Sequence, residues 1–68
     1  MYSFRIAGME HALATDACSD DREATAFALK TIRQITTLLP PEVYHGAVVE
    51  VIDPAGRVID RLPLARVQ

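Results

Sequence analysis

The chain has no tryptophan, one cysteine, two histidines and only three glycines in 68 residues. A single cysteine cannot close an intramolecular disulfide, so cross-links cannot stabilise the fold. Cys18, between Ala17 and Ser19, reads instead as a reduced packing residue of a cytoplasmic protein. His11, Cys18 and His45 share no CxxC or HxxxH spacing, which argues against a metal centre, and no cofactor is expected. No apolar run approaches the roughly 20 residues that cross a bilayer. The opening "MYSFRIAGMEH" has neither the basic nor the apolar region of a secretion signal, so neither membrane insertion nor export is expected. Positive charge is also short: seven Lys and Arg against nine Asp and Glu give a net charge of −2. With a pI near 5.5, the molecule as a whole repels phosphate backbones.

What is present suits a folded chain. Half the residues are hydrophobic and 24% are charged, the balance of an ordered globular domain. Residues 1–68 make one domain. A chain of this size buries only about 60% of its unfolded surface. With disulfides and metal set aside, oligomerisation is the remaining support.

"YSFRI" alternates, with Tyr2, Phe4 and Ile6 on one face and Ser3 and Arg5 on the other, and predicts a half-buried strand. Gly8 permits a turn, and "HALAT", residues 11–15, is a candidate second strand with only Leu13 for bulk. "SDDREATAFALKTIRQITTLLPP" then predicts a helix over about residues 20–39, capped by Asp20 in a D-x-x-E pattern and ended by Pro40 and Pro41. At about 100° per residue, Ala24, Phe27, Ala28, Thr31, Ile32, Ile35, Leu38 and Leu39 form its apolar stripe. Arg22, Glu23, Lys30 and Arg33 lie outside that stripe, as does Leu29. The expected architecture is α+β, of order β(β)αββ: one long helix on one face of a three- or four-stranded, mostly antiparallel sheet.

The stretch "GAVVEVIDPAGRVIDRLPL" predicts the closing hairpin. Pro54 presets the turn, and Gly56 supplies the left-handed residue of a bulged connection. With Asp53 and Arg57 as the closing pair, Val51 lies opposite Ile59 and Val49 opposite Arg61. Ile52 then faces Val58, Glu50 faces Asp60, and Val48 faces Leu62. Two facing acids are not buried unpaired, so the Glu50 and Asp60 side is expected outward. That leaves Val48, Ile52, Val58 and Leu62 on a face no helix covers, a patch near the limit of about 300–600 Å² that monomers tolerate. A helix about 10 Å across cannot cover four strands. The expectation is self-association through this face as a twofold homodimer.

The order of these elements resembles a family of short bacterial domains of unknown function. The resemblance is carried by the aromatic strand "YSFRI" and by the Asp-capped, Ala-rich helix "DDREATAFALKTIRQI". Its third part is the hairpin "VEVIDPAGRVIDRLP", of the form V-x-V-x-D-x-x-G-R-x-x-x-x-L-P. It spans nearly the whole chain. One departure is "MEHALATDA", where family members often have a fuller strand and an acidic, Gly-containing turn. The resemblance implies a small α+β fold and brings no activity, cofactor or site.

Candidate chemistry is thin. Nothing in the sequence places His11, His45 or Cys18 together as a nucleophile and its base, and the histidines read as solvent-exposed. No enzymatic activity is expected. Asp16, Asp20, Asp21 and Glu23 lack the spacing of a calcium loop and already suit a helix start. Arg22, Lys30 and Arg33 make a modest basic stripe that would serve a nucleic-acid-associated regulator, the second reading, although three charges are few for tight binding. Tyr2, Phe4 and Phe27 read as core, and Tyr44 as a surface residue without a stacking platform. A ligand cleft near Tyr44 and His45 is a third reading, disfavoured because so short a chain leaves little room for a several-hundred-Å³ pocket. The preferred reading is a non-enzymatic, self-associating interaction domain.

Overall fold

Alternation in "YSFRI" is realised as strand β1, Tyr2–Ile6, with Tyr2 and Phe4 buried and Ser3 and Arg5 half-buried. The computed structural model describes residues 1–64. β1 lies inside an antiparallel sheet of order β2-β1-β3-β4, where β2 is Ala14–Asp16, β3 is Val48–Ile52 and β4 is Val58–Pro63. The chain turns after β1 at Gly8, φ +90°, with the Met9 N–H donating to the Ile6 carbonyl at 3.0 Å. The second strand is shorter and later than "HALAT" suggested. It starts at Ala14, and Leu13, meant to supply its bulk, stands outside it and exposed.

Helix α1, Asp21–Leu38, begins as the capping pattern predicts. The Asp20 carboxylate accepts the Glu23 N–H at 2.8 Å, and Glu23 in turn accepts the Ser19 hydroxyl at 2.5 Å. Leu39 is extended, as the residue before Pro40 must be, and its N–H closes the helix on the Ile35 carbonyl at 2.9 Å. Pro41 then opens a one-turn helix, α2, Pro41–Tyr44. α2 buries Tyr44, so this ring is not the surface residue the sequence implied.

α1 packs chiefly over β3 and β4. Its fully buried row is Ala24, Ala28, Ile32 and Thr36, with Phe27 and Ile35 packed at the flanks and the Phe27 ring 4.7 Å from that of Phe4. The predicted stripe fails at its end: Leu38 is 80% exposed and Leu39 43%, while Thr36 is 2% exposed. Contact follows every fourth residue, and that row drifts about 40° per step, so the last turn presents Thr36 and carries the leucines off the sheet. The buried Thr36 hydroxyl donates to the Arg33 carbonyl at 3.2 Å, which removes the cost of an unpaired polar group.

The hairpin closes on Asp53 and Arg57 as expected. The Asp53 N–H donates to the Arg57 carbonyl at 2.8 Å and the Gly56 N–H to the Asp53 carbonyl at 2.9 Å, with Gly56 at φ +87°. The Asp53 carboxylate accepts from Ala55 N–H, Arg57 N–H and Arg57 Nε at 2.8 to 3.0 Å. Beyond Ile52 and Val58, which do face each other, the register differs from the predicted one. A β-bulge makes Ile59 an extra residue, so Val51 pairs with Asp60, Glu50 with Arg61, Val49 with Leu62 and Val48 with Pro63. The physical gain is at Glu50, which meets a cation instead of a second acid.

These positions separate core from surface on α1. Ile32→Ala should lower unfolding free energy by about 2–5 kcal/mol. Leu38→Ala should change it by less than about 0.5 kcal/mol. Urea unfolding midpoints of the two variants check both.

Candidate functional site

Among the described residues, the side of the sheet away from α1 carries no second layer. Since directly paired residues share a face, Ser3 and Arg5 of β1, Thr15 of β2, Val48, Glu50 and Ile52 of β3, and Val58, Arg61 and Pro63 of β4 all belong to it. Val48, Ile52 and Val58 are therefore where the sequence put them, half-buried or exposed. Leu62 is not: the bulge turns it to the helix side, opposite Val49 and against the core.

Across the middle of this face runs a row the sequence reading missed. Arg5 Nη2 lies 3.1 Å from Glu50 Oε1, and Arg61 Nε lies 3.3 Å from Glu50 Oε2. Each arginine sits directly opposite Glu50 on its own strand, so three adjacent strands are tied by one carboxylate. Glu50 is 9% exposed although no second layer among the described residues covers it. Its hydrogen bonds from Arg5 and then Arg61 hold the carboxyl below the ordinary 4.5, outweighing the opposite effect of burial. Arg5 Nε is buried without an acceptor among the described residues. The row separates Val48 and Pro63 from Ile52 and Val58, so the apolar patch is two patches with charge between them. Its outward-facing Arg5 was legible from β1 alternation, but its partner required the strand order.

The basic stripe is also present. Arg22, Lys30 and Arg33 are exposed on one side of α1, with half-exposed Leu29 among them. The ion pairs among the described residues join Arg5 and Arg61 to Glu50 and Arg57 to Asp53, and none uses this stripe.

Each acid of the cluster before and within the first turn of α1 has a protein partner. Asp20 caps the helix, Glu23 holds Ser19, Asp16 accepts the Cys18 thiol at 3.2 Å, and Asp21 accepts the Tyr2 hydroxyl at 2.6 Å. That last bond, with burial, pushes the Tyr2 phenol up to about 12. Burial first, and then the Asp16 bond, push the Cys18 thiol up to about 11, the opposite of what nucleophilic cysteine chemistry needs. His11 and His45 are exposed. Among the described residues, no three His, Cys, Asp or Glu side chains are grouped to hold a metal ion, and no helix is long and apolar enough to cross a membrane.

The expectation that so short a chain leaves little room for a cavity does not hold. An open, mainly apolar cleft of about 400 Å³ lies between α2 and the ends of β3 and β4, lined by residues that include Tyr44, His45, Ala47, Val48 and Leu64. The Tyr44 hydroxyl is buried without a hydrogen-bond partner among the described residues.

Comparison of the chain with family models, with curated proteins and with solved structures finds no match in any of the three. The reading of function therefore rests on these surfaces.

Two measurements follow from the titrating groups. Glu50 binds its proton more weakly folded than unfolded, so its contribution to stability is complete above about pH 4.5 and is lost as pH falls through its folded value. Glu50→Gln should make the acid limb of stability against pH shallower by up to about one proton, read from urea midpoints. Cys18, at about 11 against the ordinary 9.0, should alkylate with iodoacetamide roughly a hundredfold more slowly near pH 8 than in the urea-unfolded chain.

Proposed function

We propose that the protein is a non-enzymatic cytoplasmic domain that self-associates as a twofold dimer through the helix-free face of its sheet, and that it serves as an interaction module. The observation that carries this reading is the state of Glu50, a carboxylate that is 9% exposed on a face that no second layer among the described residues covers. Glu50 itself is buried and paired with both arginines, so covering it costs less than covering a solvated carboxylate would. Apolar residues flank it on both sides: Val48 with Pro63, and Ile52 with Val58. Arginine within an apolar surround is the composition of interface centres more than of a washed face. The family resemblance carried by the strand, helix and hairpin motifs belongs to the same proposal, supported by the element order ββαββ.

The second reading is a nucleic-acid-associated regulator. It is favoured by one observation, the three cations Arg22, Lys30 and Arg33 on a single exposed helix face, with no ion pair among the described residues. It is weakened by the net charge of −2.

Sedimentation equilibrium at micromolar concentration should show dimers. Ile52→Asp with Val58→Asp should weaken their association more than tenfold while far-UV circular dichroism is unchanged. A wild-type chain that sediments as a monomer, or a double variant that associates as well as wild type, ends the proposal. For the second reading, retention on bulk DNA or RNA that falls steeply with salt and is lost in Arg22→Gln with Arg33→Gln is the deciding result, because phosphate contacts release counterions.

A further inference from the structure

β4 is an edge strand of six residues, long enough to pair with a strand from another molecule and extend the sheet. We infer that Asp60 and Pro63 close this edge to strand addition, so that two copies cannot join β4 to β4. The inference goes beyond the face-to-face association above and does not depend on it.

Residues of β4 turn their backbone alternately toward β3 and toward the open side. The Leu64 N–H donates to the Ala47 carbonyl at 2.9 Å. Antiparallel ladders alternate, so Leu62 and Asp60, opposite Val49 and Val51, also bond toward β3. Arg61 and Pro63 therefore turn theirs toward the open side. Pro63 has no N–H to offer. The Arg61 N–H is occupied, because it donates to the carboxylate of the preceding residue, Asp60, at 2.8 Å. An incoming strand would meet a carboxylate where it needs a donor. The bulge at Ile59 interrupts the ladder beside this site and bends the strand, which leaves Val58, next to the turn, as the outward amide of β4. Strand pairing needs donors at alternate residues, and one at the turn end does not make a ladder.

The opposite edge is closed by length. The Ala7 N–H donates to the Val48 carbonyl at 2.8 Å, so Arg5 and Ser3 bond toward β3, and Tyr2 and Phe4 turn toward β2. Their partners Asp16 and Ala14 face inward, which leaves Thr15 as the outward residue of this three-residue strand.

The test removes both blocks together, Asp60→Ala with Pro63→Val, in the wild-type chain and in an Ile52→Asp background where face association is suppressed. Sedimentation velocity over a concentration series should show larger species that grow with concentration in both backgrounds, with slowed amide exchange along β4. Asp60→Asn, whose side-chain oxygen still accepts the Arg61 N–H, should sediment as wild type. A folded double variant with wild-type sedimentation and wild-type exchange along β4 overturns the inference. If the double variant does not fold, Asp60→Ala alone decides. Its Arg61 amide should exchange severalfold faster than in wild type, and an unchanged rate shows that the carboxylate was not holding it. A wild-type monomer, by contrast, sinks the dimer and leaves this inference standing.

Discussion

Glu50 sits at the centre of a sheet face, nearly out of reach of water, and the charge it carries there has to be matched. The match comes from two directions at once: Arg5 across β1 and Arg61 across β4, one to each carboxylate oxygen. Arg61 reaches Glu50 only because one residue, Ile59, is dropped from the ladder, and without that bulge Asp60 would stand opposite Glu50. The bulge thus exchanges repulsion between like charges for a cross-strand ion pair, and a local backbone irregularity orders three strands.

The same irregularity shapes both sides of the sheet. On the helix side it brings Leu62 in beside Val49 and lets Ile59 pack against the core. On the open side it takes Leu62 away from Val48 and sets Arg61 instead of Asp60 opposite Glu50. At the edge it puts Asp60 beside an outward amide that its own carboxylate then occupies. Core filling, the composition of the free face and protection of the edge are therefore linked through one inserted residue. A molecule with a single long helix has little other means of controlling which surfaces remain available for contact.

The helix is placed by contacts at both of its ends. At its start, Asp20 supplies the cap and Asp21 takes the Tyr2 hydroxyl, fastening the first turn to the first strand. At its end, Pro40 and Pro41 stop it and start α2, which returns the chain to β3 and buries Tyr44. Between them, Ala24 and Ala28 let the backbone approach the sheet closely enough for Phe27 to meet Phe4. The acids that looked like a cluster are mostly parts of this fastening.

Much of this was legible one element at a time. β1 follows from alternation, the start of α1 from Asp20 and Glu23, its end from two prolines, and the hairpin turn from Asp53 to Arg57, because each depends on neighbours within a few residues of chain. Val48, Ile52 and Val58 were read onto the free face correctly, since their parity is counted from the turn before the bulge or lies on the undisturbed strand. Leu62 was not, because it lies beyond an insertion that no residue type announces. Leu38 is exposed and Thr36 buried because burial depends on the slant at which α1 crosses the sheet, and Arg5 meets Glu50 only because β1 lies beside β3. Local chemistry was thus settled by order along the chain, where the relevant distances are a few bonds. Register, strand order and the matched charge at Glu50 were settled by folding, because they are energies between residues that only the tertiary structure makes neighbours.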